Sequence, residues 1–86
     1  MTYERKLKIS KNGCEEEYTY YVVKKYSVEF GCDMYNVGVK TKSERKEIED
    51  FSPDEKEAVR LCDYLYNENV SVNNLFSQSE EFIVAL

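Results

Sequence analysis

The chain has 86 residues, 34% of them charged and 42% hydrophobic, with a net charge of −5 and neither histidine nor tryptophan. That length makes a single domain, spanning 1–86, with one modest core, and the missing imidazole removes the usual general base, zinc ligand and near-neutral pH switch. The composition is too apolar for a disordered tail, and no run approaches the roughly 20 apolar residues of a membrane-spanning helix.

The first half reads as strands. Tyr3, Arg5, Leu7 and Ile9 alternate with Glu4, Lys6 and Lys8, a period of two that defines two faces. Asn12-Gly13 follows, the strongest short hairpin signal, because both residues tolerate positive φ. A long strand is expected over Tyr18–Phe30, with Tyr18, Tyr20, Val22, Tyr26, Val28 and Phe30 on its core face. Lys24-Lys25 interrupts both faces and marks a bulge, a bend or a strand end. Gly31-Cys32-Asp33 is the next turn candidate. A third strand covers Met34–Lys42, where Gly38 either weakens the strand or admits a close backbone contact. The charged segment Ser43–Asp50 reads as a hairpin tip and a short edge strand around Lys46–Glu49, charge on an edge being a block to sheet extension.

The second half changes period. Phe51-Ser52-Pro53-Asp54-Glu55 is a helix start: Ser52 as cap, Pro53 in the first helical position, Glu55 completing a capping box. Ala58, Leu61, Cys62 and Leu65 form one apolar stripe. Asn67-Glu68-Asn69 is the stop, and Ser71 is the cap of a second helix carrying Val72, Leu75, Phe76, Phe82, Ile83 and Leu86. Strands first and helices after predict an α+β domain: an antiparallel β-meander of three to four strands followed by two helices packed on one sheet face.

The tyrosine-rich strand pair, the Phe51-Ser52-Pro53 start and the segment Asn69-Val70-Ser71-Val72-Asn73-Asn74-Leu75 resemble a family of short uncharacterised proteins from spore-forming Firmicutes. The likeness covers about residues 18–84. It rests on caps and core positions, so it implies this layout and a bacterial, cytosolic setting but no functional residue. Gly31-Cys32-Asp33-Met34 departs from the family's pattern, where a shorter apolar turn is expected.

Little points to chemistry. The N-terminal Met1–Lys6 segment is not followed by the apolar stretch of a secretory signal. Cys14, Cys32 and Cys62 are an odd number with no Cys-x-x-Cys pair, which fits reduced thiols in a cytoplasmic protein and leaves no metal ligand set. Glu15-Glu16-Glu17, Glu49-Asp50 and Glu80-Glu81 lie in polar contexts with no apolar pocket to shift a pKa. Cys62 sits mid-helix on the apolar stripe, and Cys14 and Cys32 lie beside carboxylates that oppose a thiolate. No phosphate-binding glycine loop is present. Catalytic residues and cofactors are therefore not expected, and the protein is not read as an enzyme.

Tyrosine is the unusual feature, with eight in the chain. One small core cannot hold them all, and Tyr21 and Tyr64 are expected to point away from their core faces. Tyrosine is enriched at interfaces, so Tyr21, Val23, Lys25 and Tyr64 are the candidate protein-binding residues. The expected partner is another protein or a second copy of the chain. A membrane is not expected, and a nucleic acid is disfavoured by a pI near 4.8. A second reading starts from charge asymmetry: residues 1–42 hold eight basic and six acidic side chains, residues 43–86 four and eleven. On that reading Asp54, Glu55, Glu57, Asp63 and Glu68 of the first helix occupy a basic site on a partner, as an acidic inhibitor or nucleic-acid mimic.

Overall fold

Two adjacent residues with positive φ set the first hairpin. In the computed structural model, which describes residues 2–85 (backbone alone at positions 11 and 83–85), Asn12 and Gly13 have φ of 51° and 79°, the left-handed pair of a two-residue turn that matches the sheet twist. They join β1 (Tyr3–Lys11) to β2 (Cys14–Ser27). β3 (Cys32–Lys40) and β4 (Arg45–Ser52) complete one antiparallel sheet in the order β1-β2-β3-β4. α1 (Glu55–Asn67), a 3-10 turn (Val72–Asn74) and α2 (Leu75–Ala85) follow. The expected meander and two helices are what the chain forms, with all four strands present.

Several boundaries differ from the sequence expectation. β2 runs through Lys24-Lys25 without a break, because both lysines keep their ladder partners, Tyr35 and Met34. It ends at Ser27 rather than Phe30, and β3 starts inside the segment expected to turn. The actual turn is Val28–Gly31, closed by the Gly31 N–H donating to the Ser27 carbonyl at 2.8 Å and the Phe30 N–H donating to Ser27 Oγ at 3.2 Å. β3 stops at Lys40 rather than Lys42, since Thr41 Oγ1 accepts the Glu44 N–H at 3.1 Å and starts the next turn. The first helix starts later than expected. Asp54 is its cap, accepting the Lys56 N–H at 3.0 Å, while Ser52 ends β4 and its hydroxyl accepts the Asp54 N–H at 3.0 Å. Ser71 precedes the 3-10 turn without a side-chain capping bond.

Alternation and the helical stripe meet in the core. Tyr18, Tyr20, Val22, Val37 and Val39 from the sheet are buried against Ala58, Leu61, Cys62 and Leu65 of α1, with Val70, Val72 and Leu75 closing the corner. Asn67-Glu68-Asn69 does end α1. Asn69 adopts φ 52°, its N–H donates to the Tyr66 carbonyl at 3.2 Å, and the Val70 N–H donates back to Leu65 at 3.1 Å. These are the paired bonds of a left-handed helix end, with Val70 and Leu65 as its apolar contact. Tyr20 Oη donates to the Val70 carbonyl at 2.7 Å and so ties that corner to the middle of β2. Arg5, on the core face by parity, reaches Asp63 of α1 at 3.2 Å and lies 4.1 Å over the Tyr66 ring, while Tyr3 Oη donates to the same Asp63 oxygen at 2.6 Å. The second stripe is half confirmed: Val72 and Leu75 are buried, Phe82 packs on the core, and Phe76 is exposed. Leu86, and the side chain of Ile83, lie outside the described residues.

The helices cover only part of the sheet. Past Val22, the next β2 residues on the helix side, Lys24 and Tyr26, are exposed, so the end of the β2–β3 hairpin extends beyond the helices. No helix among the described residues is long and apolar enough to cross a membrane. Cys14 and Cys32 are exposed and Cys62 is buried, all three unpaired, and burial pushes the Cys62 thiol up to about 12. An aromatic disulfide reagent at pH 8 should therefore label two thiols rapidly and the third only on addition of denaturant. Rapid labelling of all three would mean that α1 does not pack as described.

Candidate functional site

The face of the sheet opposite the helices carries the odd positions of β2. The register sets Tyr21 opposite Gly38, and Gly38 opposite Glu47. Because Gly38 has no Cβ, the Tyr21 ring lies flat across β3. A Cβ built on Gly38 would fall 2.5 Å from Tyr21 Cζ and 2.8 Å from the Lys46 carbonyl oxygen. The ring reaches over the glycine to β4, where Tyr21 Oη donates to Glu47 Oε1 at 2.7 Å. Lys40 Nζ sits 5.6 Å from the same ring. Tyr21 thus points away from the helices, as its parity requires, yet is only 3% exposed.

Asn36 completes the arrangement. It is 2% exposed; its amide nitrogen donates to Glu47 Oε2 at 2.8 Å, and its amide oxygen accepts the Asp50 N–H at 2.9 Å. Asp50 lies where the β3–β4 ladder slips between Tyr35 and Val37, with φ 51°. The bulge pulls its N–H away from the β3 backbone, and the Asn36 side chain supplies the acceptor that the ladder lacks. On the far side Ser27 Oγ donates to Asp50 Oδ2 at 3.1 Å.

Tyr21, Ser27, Asn36, Glu47 and Asp50 therefore form one network spanning β2 to β4. Burial alone would push the Glu47 carboxyl up; the hydrogen bonds from Tyr21 and Asn36, with Arg45 and Lys25 nearby, outweigh it and hold the group below the usual range. Burial and the bond to Glu47 push the Tyr21 phenol up. The pair is thus a neutral phenol donating to a carboxylate. Among the described residues no buried side-chain nitrogen or oxygen lacks a partner. Such a network braces the sheet from β2 to β4.

The candidate binding residues fall on two layers. Tyr21, Val23 and Lys25 share the open face: Tyr21 buried in the network, Val23 half-buried, Lys25 exposed. Tyr64 sits on α1, half-buried, its ring centroid 5.2 Å from that of Phe82, and so belongs to the helix layer. Apart from Phe76 on α2, the large apolar side chains that remain exposed among the described residues lie just beyond Lys25. Tyr26 is 66%, Val28 90% and Phe30 59% exposed. The alternation pattern assigned these three to the core face; their side is right for Tyr26, but the helices end before reaching it, and Val28 and Phe30 stand in the turn. Ser27 and Asn36 give no sequence signal, and Glu47 and Asp50 read only as part of a charged edge segment and a solvated carboxylate pair, since the association of the four depends on strand register. Of the helix carboxylates, Asp63 is held by Tyr3 and Arg5, Glu57 bonds Arg60 at 3.2 Å, and Asp54 is the cap.

The fold and this face define a small α+β domain: a four-stranded meander roofed on one side by two helices and cross-braced on the other by side-chain hydrogen bonds. The chain belongs to a family of unknown function, DUF6514, which matches residues 1–83. The match takes in β1, beyond the 18–84 over which the sequence resemblance was drawn. No curated protein and no solved structure matches the chain.

Proposed function

We propose that the domain is a non-catalytic protein-interaction module and that its contact surface is the end of the β2–β3 hairpin with the adjoining open-face residues Val23 and Lys25. The observation that carries this reading is Val28, 90% exposed between Tyr26 and Phe30 at the tip of an ordered turn. Scattered exposed apolar residues need no explanation, but three within five positions on one projection make a patch of the kind that fills a partner's pocket. The turn is held by its two bonds to Ser27, which lowers the ordering cost of binding. Tyr21 acts beneath this surface, fixing the face on which Val23 and Lys25 stand. The acidic-helix reading draws less support, because three of its five carboxylates already have internal partners.

The test compares the wild-type domain with Val28→Ser/Phe30→Ser as bait in native-host lysate, eluted in salt steps. The expected partner stays on the wild type at about 1 M salt, where the Debye length is about 3 Å, and is missing from the variant, whose thermal midpoint is unchanged. If the partner is a second copy, sedimentation of the wild type shows a concentration-dependent dimer and the variant stays monomeric. Identical partners on both baits, or release of every partner at low salt, would refute the surface.

A further inference from the structure

β2 outruns β3. Its pairing with β1 extends to Cys14, whereas its pairing with β3 begins only at Thr19, opposite Lys40. Residues 14–18 therefore have a strand neighbour on one side alone. The two-residue turn makes Lys11 and Cys14 a hydrogen-bonded pair, and alternation then makes Ile9/Glu16 and Leu7/Tyr18 bonded pairs too. The Val22 carbonyl, which accepts the Thr2 N–H at 2.9 Å across the β1 side, has the same parity. Glu15 and Glu17 consequently turn their N–H and C=O groups the other way, in the plane of the sheet. What lies there is an open groove of about 930 Å³, lined by residues 14–17, Thr19 and residues 40–43.

We propose that this notch binds an extended peptide bearing basic side chains, added as a strand alongside Glu15–Tyr18 in the line that β3 leaves. The backbone supplies the attachment, since two residues at strand spacing offer two donors and two acceptors without internal use. The far wall is already built. The Thr41–Glu44 turn is closed by Thr41 N–H donating to the Glu44 carbonyl at 2.8 Å and by the Glu44 N–H donating to Thr41 Oγ1. Charge selects the occupant. Glu15 and Glu17 project on the open face and Glu16 on the other, so an added strand meets carboxylates along its β2 neighbour on both faces. Lys40 and Lys42 line the groove on the side of the Thr41–Glu44 turn and confine the basic side chains to the Glu15–Glu17 stretch. Glu15 has one ion partner, Lys8 at 3.9 Å, with both groups largely exposed, an attachment that is easily exchanged. The outer edge of β1 is the counter-case: Lys6 and Lys8 stand exposed there and repel such a peptide. The notch is at the opposite end of β2 from Val28 and Phe30, so either surface can fail without the other.

The probe is an acetylated, amidated hexapeptide alternating Lys with Thr or Val, titrated into the ¹⁵N-labelled domain. At a peptide concentration ten times its Kd, hydrogen exchange of the Glu15 and Glu17 amides should slow about tenfold. The same peptide N-methylated at alternate residues, and its Glu-for-Lys counterpart, should leave both amides unchanged. Glu17→Pro should abolish binding and keep the β1–β2 ladder, because the lost N–H faces away from β1; if that variant unfolds, the N-methylated peptide decides alone. No protection at Glu15 and Glu17, protection at the β1 edge instead, or equal binding of the N-methylated peptide would overturn the proposal.

Discussion

Gly38→Ala should cost the domain about 2–3 kcal/mol, near the upper end for one added methyl group in a packed site. The new Cβ would meet two kinds of obstacle. Tyr21 Cζ and Oη, each at 2.5 Å, are the far end of a side chain and can swing away, at the cost of the bond to Glu47. The Lys46 carbonyl oxygen at 2.8 Å is backbone of the paired edge strand, so relieving it means opening the β3–β4 ladder. A domain of this size has a total stability of about 4–13 kcal/mol, and the loss should appear as a clear fall in urea midpoint with little change in slope. Tyr21→Ala in the same chain separates the two obstacles. If the ring is half of the problem, the double variant is less destabilised than the two single losses added together, by about 1 kcal/mol or more. Strict additivity would mean that Tyr21 and Gly38 are not in contact in solution.

This contact also marks the limit of what the sequence discloses. Asn12-Gly13, the alternation of β1 and the Ala58–Leu65 stripe are signals within a few residues of each other, and all three are realised as read. The face that Tyr21 occupies follows from parity as well. What parity cannot say is what covers a face. Tyr21 stood as an exposed contact because no helix was expected there, but the cover comes from Gly38 and Glu47, brought in by the β2–β3 and β3–β4 registers. A one-residue slip in either would put Tyr21 over a different neighbour. Asn36 is less legible still: its use depends on a bulge at Asp50 that has no glycine to announce it. The hairpin tip fails for the converse reason. Tyr26, Val28 and Phe30 alternate like core residues, and only the helix lengths reveal that nothing roofs them. Ser52 and Asp54 are both good caps, and which one serves is decided by where β4 releases the chain.

Glu47→Ala should cost about 3 kcal/mol at neutral pH, more than a surface glutamate on an edge strand would suggest. The substitution leaves Tyr21 Oη and Asn36 Nδ2 without their acceptor, and each unpaired donor in a buried setting costs about 1–3 kcal/mol. The pH dependence identifies the mechanism. Two hydrogen bonds and neighbouring cations hold the Glu47 carboxyl below its ordinary 4.5 in the folded chain. The unfolded chain therefore takes up that proton first as pH falls, and protonation favours unfolding. The stabilisation is fully present above the unfolded value and disappears as pH drops through the folded one. The gap in unfolding free energy between wild type and Glu47→Ala should be flat from about pH 8 to 6 and narrow below about pH 4. Urea titrations at several pH values would measure it directly. A gap that stays constant down to about pH 2.5 would mean that Glu47 is not an ionised acceptor. The brace over Gly38 would then be packing alone, and Tyr21 would be free to leave it for a partner, returning the phenol to the binding role that its place on the open face first suggests.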